Sequence, residues 1–168
     1  MPDMIKMAFL FIFCSGFLIS PILGQNKTGP MTDAATIDWL TFEQLTDSLD
    51  KNPKMVMINF HTDWCTYCRK MHREVFTNPE VIQTINESYY AVSFDAETRD
   101  SVYFDGQWFI NKEATNRRRG FHELAQLLGN RNGRITVPTT LFLNPDFTIR
   151  HRSFEYLSSR KLLDLLNP

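Results

Sequence analysis

Cys65 and Cys68, three residues apart in Trp64-Cys-Thr-Tyr-Cys68, are the residues of this chain best suited to chemistry. Two thiols at that spacing can act in turn on a disulfide brought to them, the first attacking it and the second releasing the product. A bond between them closes too short a loop to staple a fold, because loop-closure stabilisation grows with loop length. Their purpose is therefore chemical. The third cysteine, Cys14, lies in an apolar run near the start of the chain and offers no second pair.

Rival chemistries use the same residues. A c-type haem needs His at position 69, which is Arg69. Zinc is the stronger rival, since His61, Cys65, Cys68 and His72 supply four candidate ligands within twelve residues. His61, however, would end a strand while the other three begin a helix, and the four converge only if that corner distorts. The site is therefore read as redox-active, with no metal.

The flanking pattern is what a reactive thiol requires. Lys54–His61 is a short, nearly continuous apolar run (Met55, Val56, Met57, Ile58, Phe60), the signature of a strand buried on both faces. A helix follows the cysteines, with Met71 and Val75 on one face. Cys65 then occupies a helix N-terminus, where unpaired N–H groups and the dipole favour an anion. A thiolate there has a depressed pKa, and the thiolate is the attacking species. Cys68 follows one turn later, and Trp64 offers a flat apolar surface beside the sulfur.

Phe60-His-Thr-Asp-Trp-Cys-Thr-Tyr-Cys-Arg-Lys-Met71 resembles the active-site segment of the thioredoxin superfamily, closest to secreted bacterial thiol:disulfide interchange proteins. Glu74-Val-Phe-Thr-Asn-Pro-Glu-Val81 resembles the same group, and Val137-Pro138-Thr139-Thr140 resembles its cis-proline loop. The likeness spans about residues 38–167. It implies an α/β thioredoxin-like fold, a central mixed sheet flanked by helices, with a hairpin-plus-helix insertion over about 96–134 before the cis-proline loop. It also implies roles: Cys65 as nucleophile, Cys68 as resolving thiol, and Trp64, Val137 and Pro138 as the substrate-binding wall. Pro138 would be cis and would place no N–H beside the sulfurs, leaving the Val137 backbone to pair with an extended substrate. The partners implied are protein thiols and disulfides, with a membrane electron carrier feeding a reductant. No cofactor is implied beyond the cysteine pair, and a monomer is expected. Two departures stand out. The buried acid often found six residues before the first cysteine is Asn59, which cannot titrate, leaving water or a group such as Glu74 to move protons. The intervening dipeptide is Thr66–Tyr67, which leaves redox direction open. The alternative functions are a non-enzymatic binding module on the same fold and, after it, a zinc site at His61, Cys65, Cys68 and His72.

Elsewhere, Thr41 caps a helix carrying Phe42, Leu45 and Leu49, which Asn52–Pro53 stops. Asn78 caps a second with Pro79 in its first turn, and Tyr89–Asp95 reads as a strand. Asp105–Gly106 marks a hairpin between two β-prone runs. Asn111–Leu128 reads as one helix weakened by Gly120, Thr139–Leu143 and Phe147–Arg152 as a strand pair, and Ser158 as the cap of a closing helix. The aromatics Tyr103, Phe104, Trp108, Phe109 and Phe121 are read mainly as a satellite core, and His61, His72, His122 and His151 as structurally ordinary.

The chain's 168 residues, 43% hydrophobic and 22% charged, fit one domain plus a leader. A formal charge of −1 gives no basic field for nucleic acid. Residues 1–24 have the pattern of a cleaved signal peptide: Lys6, the apolar run Ala8–Ile19, and Gly24 before Gln25. An uncleaved membrane anchor is the rival reading, against which that run is shorter than the roughly 20 residues a membrane span needs. Residues 25–37 read as a flexible segment and 38–168 as the domain. The expected location is periplasmic or otherwise exported.

Overall fold

A computed structural model describes residues 36–115 and 120–167. The leader, the segment up to residue 35 and the basic run Arg117–Arg119 lie outside the described residues. Two residues assigned to the flexible segment belong to the domain. Ile37 is buried in the core, and the Asn86 amide bridges the Thr36 carbonyl and the Asp38 N–H.

The central sheet has five strands in the order β1 (Trp39–Leu40), β3 (Tyr89–Asp95), β2 (Met55–His61), β8 (Thr139–Leu143) and β9 (Ile149–Ser153). The first three are mutually parallel, while β8 runs antiparallel to β2 and β9 to β8. Parallel neighbours need crossovers, supplied by α1 (Phe42–Lys51) and by α2 (Thr66–Glu74) with α3 (Pro79–Ser88). Alternation along the strands divides the core in two. Met57, Ala91 and Phe142 pack with residues of α2, α3 and α5 (Ser159–Leu166). Val56, Ile58, Phe60, Val92, Leu141 and Leu143 pack with α1 and the insertion. The expected mixed sheet flanked by helices is the architecture found.

Caps set the helix starts. The Thr41 hydroxyl accepts the Gln44 N–H while the Gln44 side-chain Oε1 accepts the Thr41 N–H, a capping box. Lys51 ends α1 because Asn52, preceding Pro53, takes the extended conformation. The Asn78 side-chain Oδ1 accepts the Glu80 and Val81 N–H groups at the start of α3, and Ser158 caps α5.

The insertion departs from expectation in its second half. Its hairpin, β4 (Val102–Phe104) and β5 (Gln107–Phe109), forms around Asp105 and Gly106, whose positive φ values of 49° and 74° suit the tight turn. Val102 and Phe109 pair across it into the core, and Tyr103 and Trp108 stack outward with centroids 5.3 Å apart. The single helix expected over 111–128 is instead a 3₁₀ turn, Lys112–Thr115, and a short α4, Glu123–Leu128. Gly120 passes so close to the 3₁₀ turn that a Cβ there would lie 2.7 Å from the Glu113 carbonyl carbon. His122 caps α4 from an extended conformation.

Three smaller features complete the fold. Strand β1 has too few residues to show periodicity. A minimal hairpin of β6 (Asn130–Arg131) and β7 (Arg134–Ile135) turns at Asn132–Gly133. The last strand begins at Ile149 because Phe147 adopts φ 65° within the preceding turn.

Candidate active site

Strand β2 ends at His61, whose carbonyl accepts the Ala96 N–H from the first turn of the insertion at 2.8 Å. The chain then turns through Thr62–Trp64, closed by a Cys65 N–H to Thr62 carbonyl bond of 3.1 Å. Arg69 reaches back from α2 to the Asp63 carbonyl (2.6 Å) and the Thr66 hydroxyl (3.3 Å), holding turn and helix together.

Cys65 is the N-cap of α2, and its Sγ accepts the Cys68 N–H at 3.1 Å. That N–H would otherwise be one of the unpaired donors of a helix start. The same donor and the helix dipole would favour a thiolate at Cys65 in the reduced state. Here the two cysteines are joined as a disulfide, with a Cα–Cα distance of 5.2 Å. Both are almost covered, Cys65 at 5% and Cys68 at 2% exposed, whereas the flanking Trp64 and Tyr67 stand out from the surface.

The second wall is brought to the same edge of the sheet. Register pairs Phe60 with Thr139, so residues 137–138 lie level with the chain just beyond Phe60, where the cysteine turn begins. The Val137–Pro138 peptide bond is cis, with Pro138 buried and Val137 half-buried. The Thr139 hydroxyl donates to the Thr136 carbonyl at 2.6 Å and fixes the loop.

An architecture in which a parallel strand feeds a disulfide at a helix start, with a cis-proline loop at the same edge, matches the thioredoxin-like domain over residues 42–167. The chain belongs to that family. Its fold is similar to a thioredoxin from Thermus thermophilus, 22% identical with TM-score 0.56, covering 78% of this chain and 85% of that one. A DsbH oxidoreductase is 16% identical with TM-score 0.56, covering 84% and 89%. A disulphide isomerase from Xylella fastidiosa is 18% identical with TM-score 0.50, covering 75% and 88%. No curated protein sequence matches the chain closely enough to count as a relative.

Within this thioredoxin-like frame, Asn59 is 1% exposed; its amide donates to the Thr140 hydroxyl at 3.0 Å, and its Oδ1 has no partner among the described residues. Glu74, the acid considered for proton transfer, is ion-paired on the exposed side of α2 with Lys70 (3.8 Å) and Arg73 (2.7 Å). Neither residue supplies a buried acid.

The histidines are less ordinary than their sequence positions imply. His61 and His72 meet edge to face with ring centroids 5.2 Å apart, and line one groove with Cys68. Burial lowers the pKa of His61 from its ordinary value, against the opposing pull of Asp95 and Asp63. Burial lowers that of His72 as well, and His61 adds to the effect. Among the described residues, no group of three or more His, Cys, Asp or Glu is placed to hold a metal ion.

Sequence reasoning missed Glu97 altogether. Its carboxylate accepts the Trp64 indole N–H at 3.0 Å, so the insertion supplies a residue that orients the aromatic beside the sulfurs. Nothing in a separation of 33 residues announces that contact.

Proposed function

We propose that this chain is a dithiol–disulfide oxidoreductase acting on protein disulfides outside the cytoplasm, and that it works as a reductant. The observation that carries the reading is Cys65 at the cap of α2, its sulfur accepting the Cys68 N–H and bonded to the Cys68 sulfur. In the reduced protein the Cys65 thiolate attacks a substrate disulfide, forming a mixed disulfide and releasing one substrate thiolate. Cys68 then attacks the Cys65 sulfur, closing the bond present in this structure and releasing the second. Trp64, Val137 and Pro138 form the surface on which the substrate segment lies, with the Val137 backbone pairing to it as an added strand.

Cys65→Ser is expected to reduce insulin-type disulfide reduction to the rate without protein, and Cys68→Ser to accumulate the mixed disulfide on non-reducing gels. A Cys65→Ser protein as fast as the wild type would sink the reading. Direction is tested by the reduction potential of the pair, where about −270 mV supports a reductant and about −120 mV an oxidant. Location rests on the leader pattern of residues 1–24, and its test is whether the chain recovered from the exported fraction begins at Gln25. A membrane electron carrier is the proposed source of electrons.

A further inference from the structure

One cluster of titratable groups beside the disulfide has no part in the steps above. His72 lies four residues after Cys68 on α2, so both side chains occupy one face of the helix. His61 ends β2 and lays its ring against that of His72. The three residues line one groove, whose rim also includes Asp63, Arg69 and Arg73. His72 Nε2 is buried and has no hydrogen-bond partner among the described residues, although Phe76 and Trp39 hold the ring at centroid distances of 5.2 and 6.3 Å. An unsatisfied buried polar atom costs about 1–3 kcal/mol and calls for a reason, of which chemistry is one.

The exchange reaction supplies such a reason. Cys68 must lose its proton before it attacks Cys65, and an ordinary thiol with pKa about 8.5 is mostly protonated at neutral pH. Asn59 cannot accept a proton, and Glu74 is engaged on the outer side of α2. We infer that His72, packed against the His61 ring, is the proton acceptor for Cys68. The inference rests on the exchange reaction proposed above.

The surroundings fit that role. Asp95 from β3 and Asp63 from the turn face His61 and favour its charged form. Arg69 and Arg73 from α2 also line the groove, Arg69 turned back to the Asp63 carbonyl and Arg73 paired with Glu74. Trp39 of β1 and Phe76 close the remaining side without charge. Burial favours the neutral form of both imidazoles, the form that accepts a proton. In the step, the Cys68 proton passes to imidazole and the sulfur electron pair forms the Cys65–Cys68 bond. The bond from Cys65 to the substrate sulfur breaks, and the leaving thiolate recovers the proton from the imidazolium.

The test mixes the reduced full-length protein with dithiobis(nitrobenzoate), whose thiolate release is read by absorbance. The first equivalent reports attack by Cys65 and the second attack by Cys68. Between about pH 5 and pH 9 the wild-type second phase should rise through an imidazole titration below about 6.5 and then level off. His72→Gln should slow that phase on the order of tenfold at pH 7 and make it rise with the thiol titration near 8.5, leaving the first phase unchanged. His61→Gln removes a charge that opposes protonation of His72 and should move the inflection to higher pH. Glu74→Gln should change neither phase. A His72→Gln profile of wild-type shape, merely scaled, overturns the inference. If that variant does not fold, an unmoved inflection in His61→Gln overturns it. Loss of the first phase in the wild type would instead overturn the exchange reaction itself.

Discussion

In the insertion, Asn111 uses its whole amide: Nδ2 donates to the Glu97, Thr98 and Gly120 carbonyls, at 2.7 Å for the last, and Oδ1 accepts the Ala114 N–H at 3.0 Å. The fully buried His122 is equally engaged, Nδ1 accepting the Leu124 N–H and Nε2 lying 3.2 Å from the Asp100 carbonyl. In the active-site corner, which leaves the same edge of the sheet one strand away, Asn59 Oδ1, Thr62 Oγ1 and His72 Nε2 have no partner among the described residues. Both regions bury polar groups. The insertion satisfies them and so becomes scaffold, while the corner leaves donors and acceptors uncommitted beside a reactive sulfur pair. Buried polarity alone therefore does not mark a functional site; how completely it is hydrogen-bonded is what separates these two regions.

This contrast can be broken by mutation. Asn111→Ala should have the largest effect on folding, about 2–4 kcal/mol in a denaturant titration, because it strands several buried backbone groups at once. Exchange activity per folded molecule should stay near wild type; a stability loss below about 0.5 kcal/mol would make the insertion's network decorative.

Acidification sharpens the comparison next. Burial lowers the folded-state pKa of His61, His72 and His122 below the ordinary 6.5. The unfolded chain then binds more protons than the folded one just below that value. Stability is thus complete above about pH 6.5 and falls as pH drops through it. A thermal midpoint flat from about pH 8 to pH 5 would contradict the sign. The smallest effect belongs to Glu97→Ala, which frees the Trp64 indole N–H from its Glu97 partner at a partly exposed position. It should lower kcat/KM for a protein disulfide a few-fold, about 1 kcal/mol, with the melting temperature almost unchanged.

Much of the fold was legible because its signals are local. Thr41, Asn78 and Ser158 cap helices through hydrogen bonds to residues two or three positions on, and Asp105–Gly106 turns by its own backbone preference. The reading failed where a distant contact outweighed local pattern. Residues 111–128 have helical spacing, but Asn111, Gly120 and His122 make tertiary contacts incompatible with one continuous helix. Ile37 looked like the end of a polar tether, and only the helices packed over that face of the sheet gave it a buried place. Strand β1 exists by pairing with β3, not by any pattern of its own two residues.

The sequence by itself determined the chemistry available: one C-x-x-C pair at a strand-to-helix junction, with Asn59, which cannot titrate, six residues before it. These are statements about residue type and short spacing, which a linear reading holds completely. Only the tertiary structure decided which groups share the corner. It set Glu97 on Trp64, turned Glu74 outward, and joined His61 to His72 beside Cys68. The reason is that hydrogen bonds and ring contacts act over a few ångströms of space, and burial is a property of everything packed around a group rather than of its neighbours in sequence.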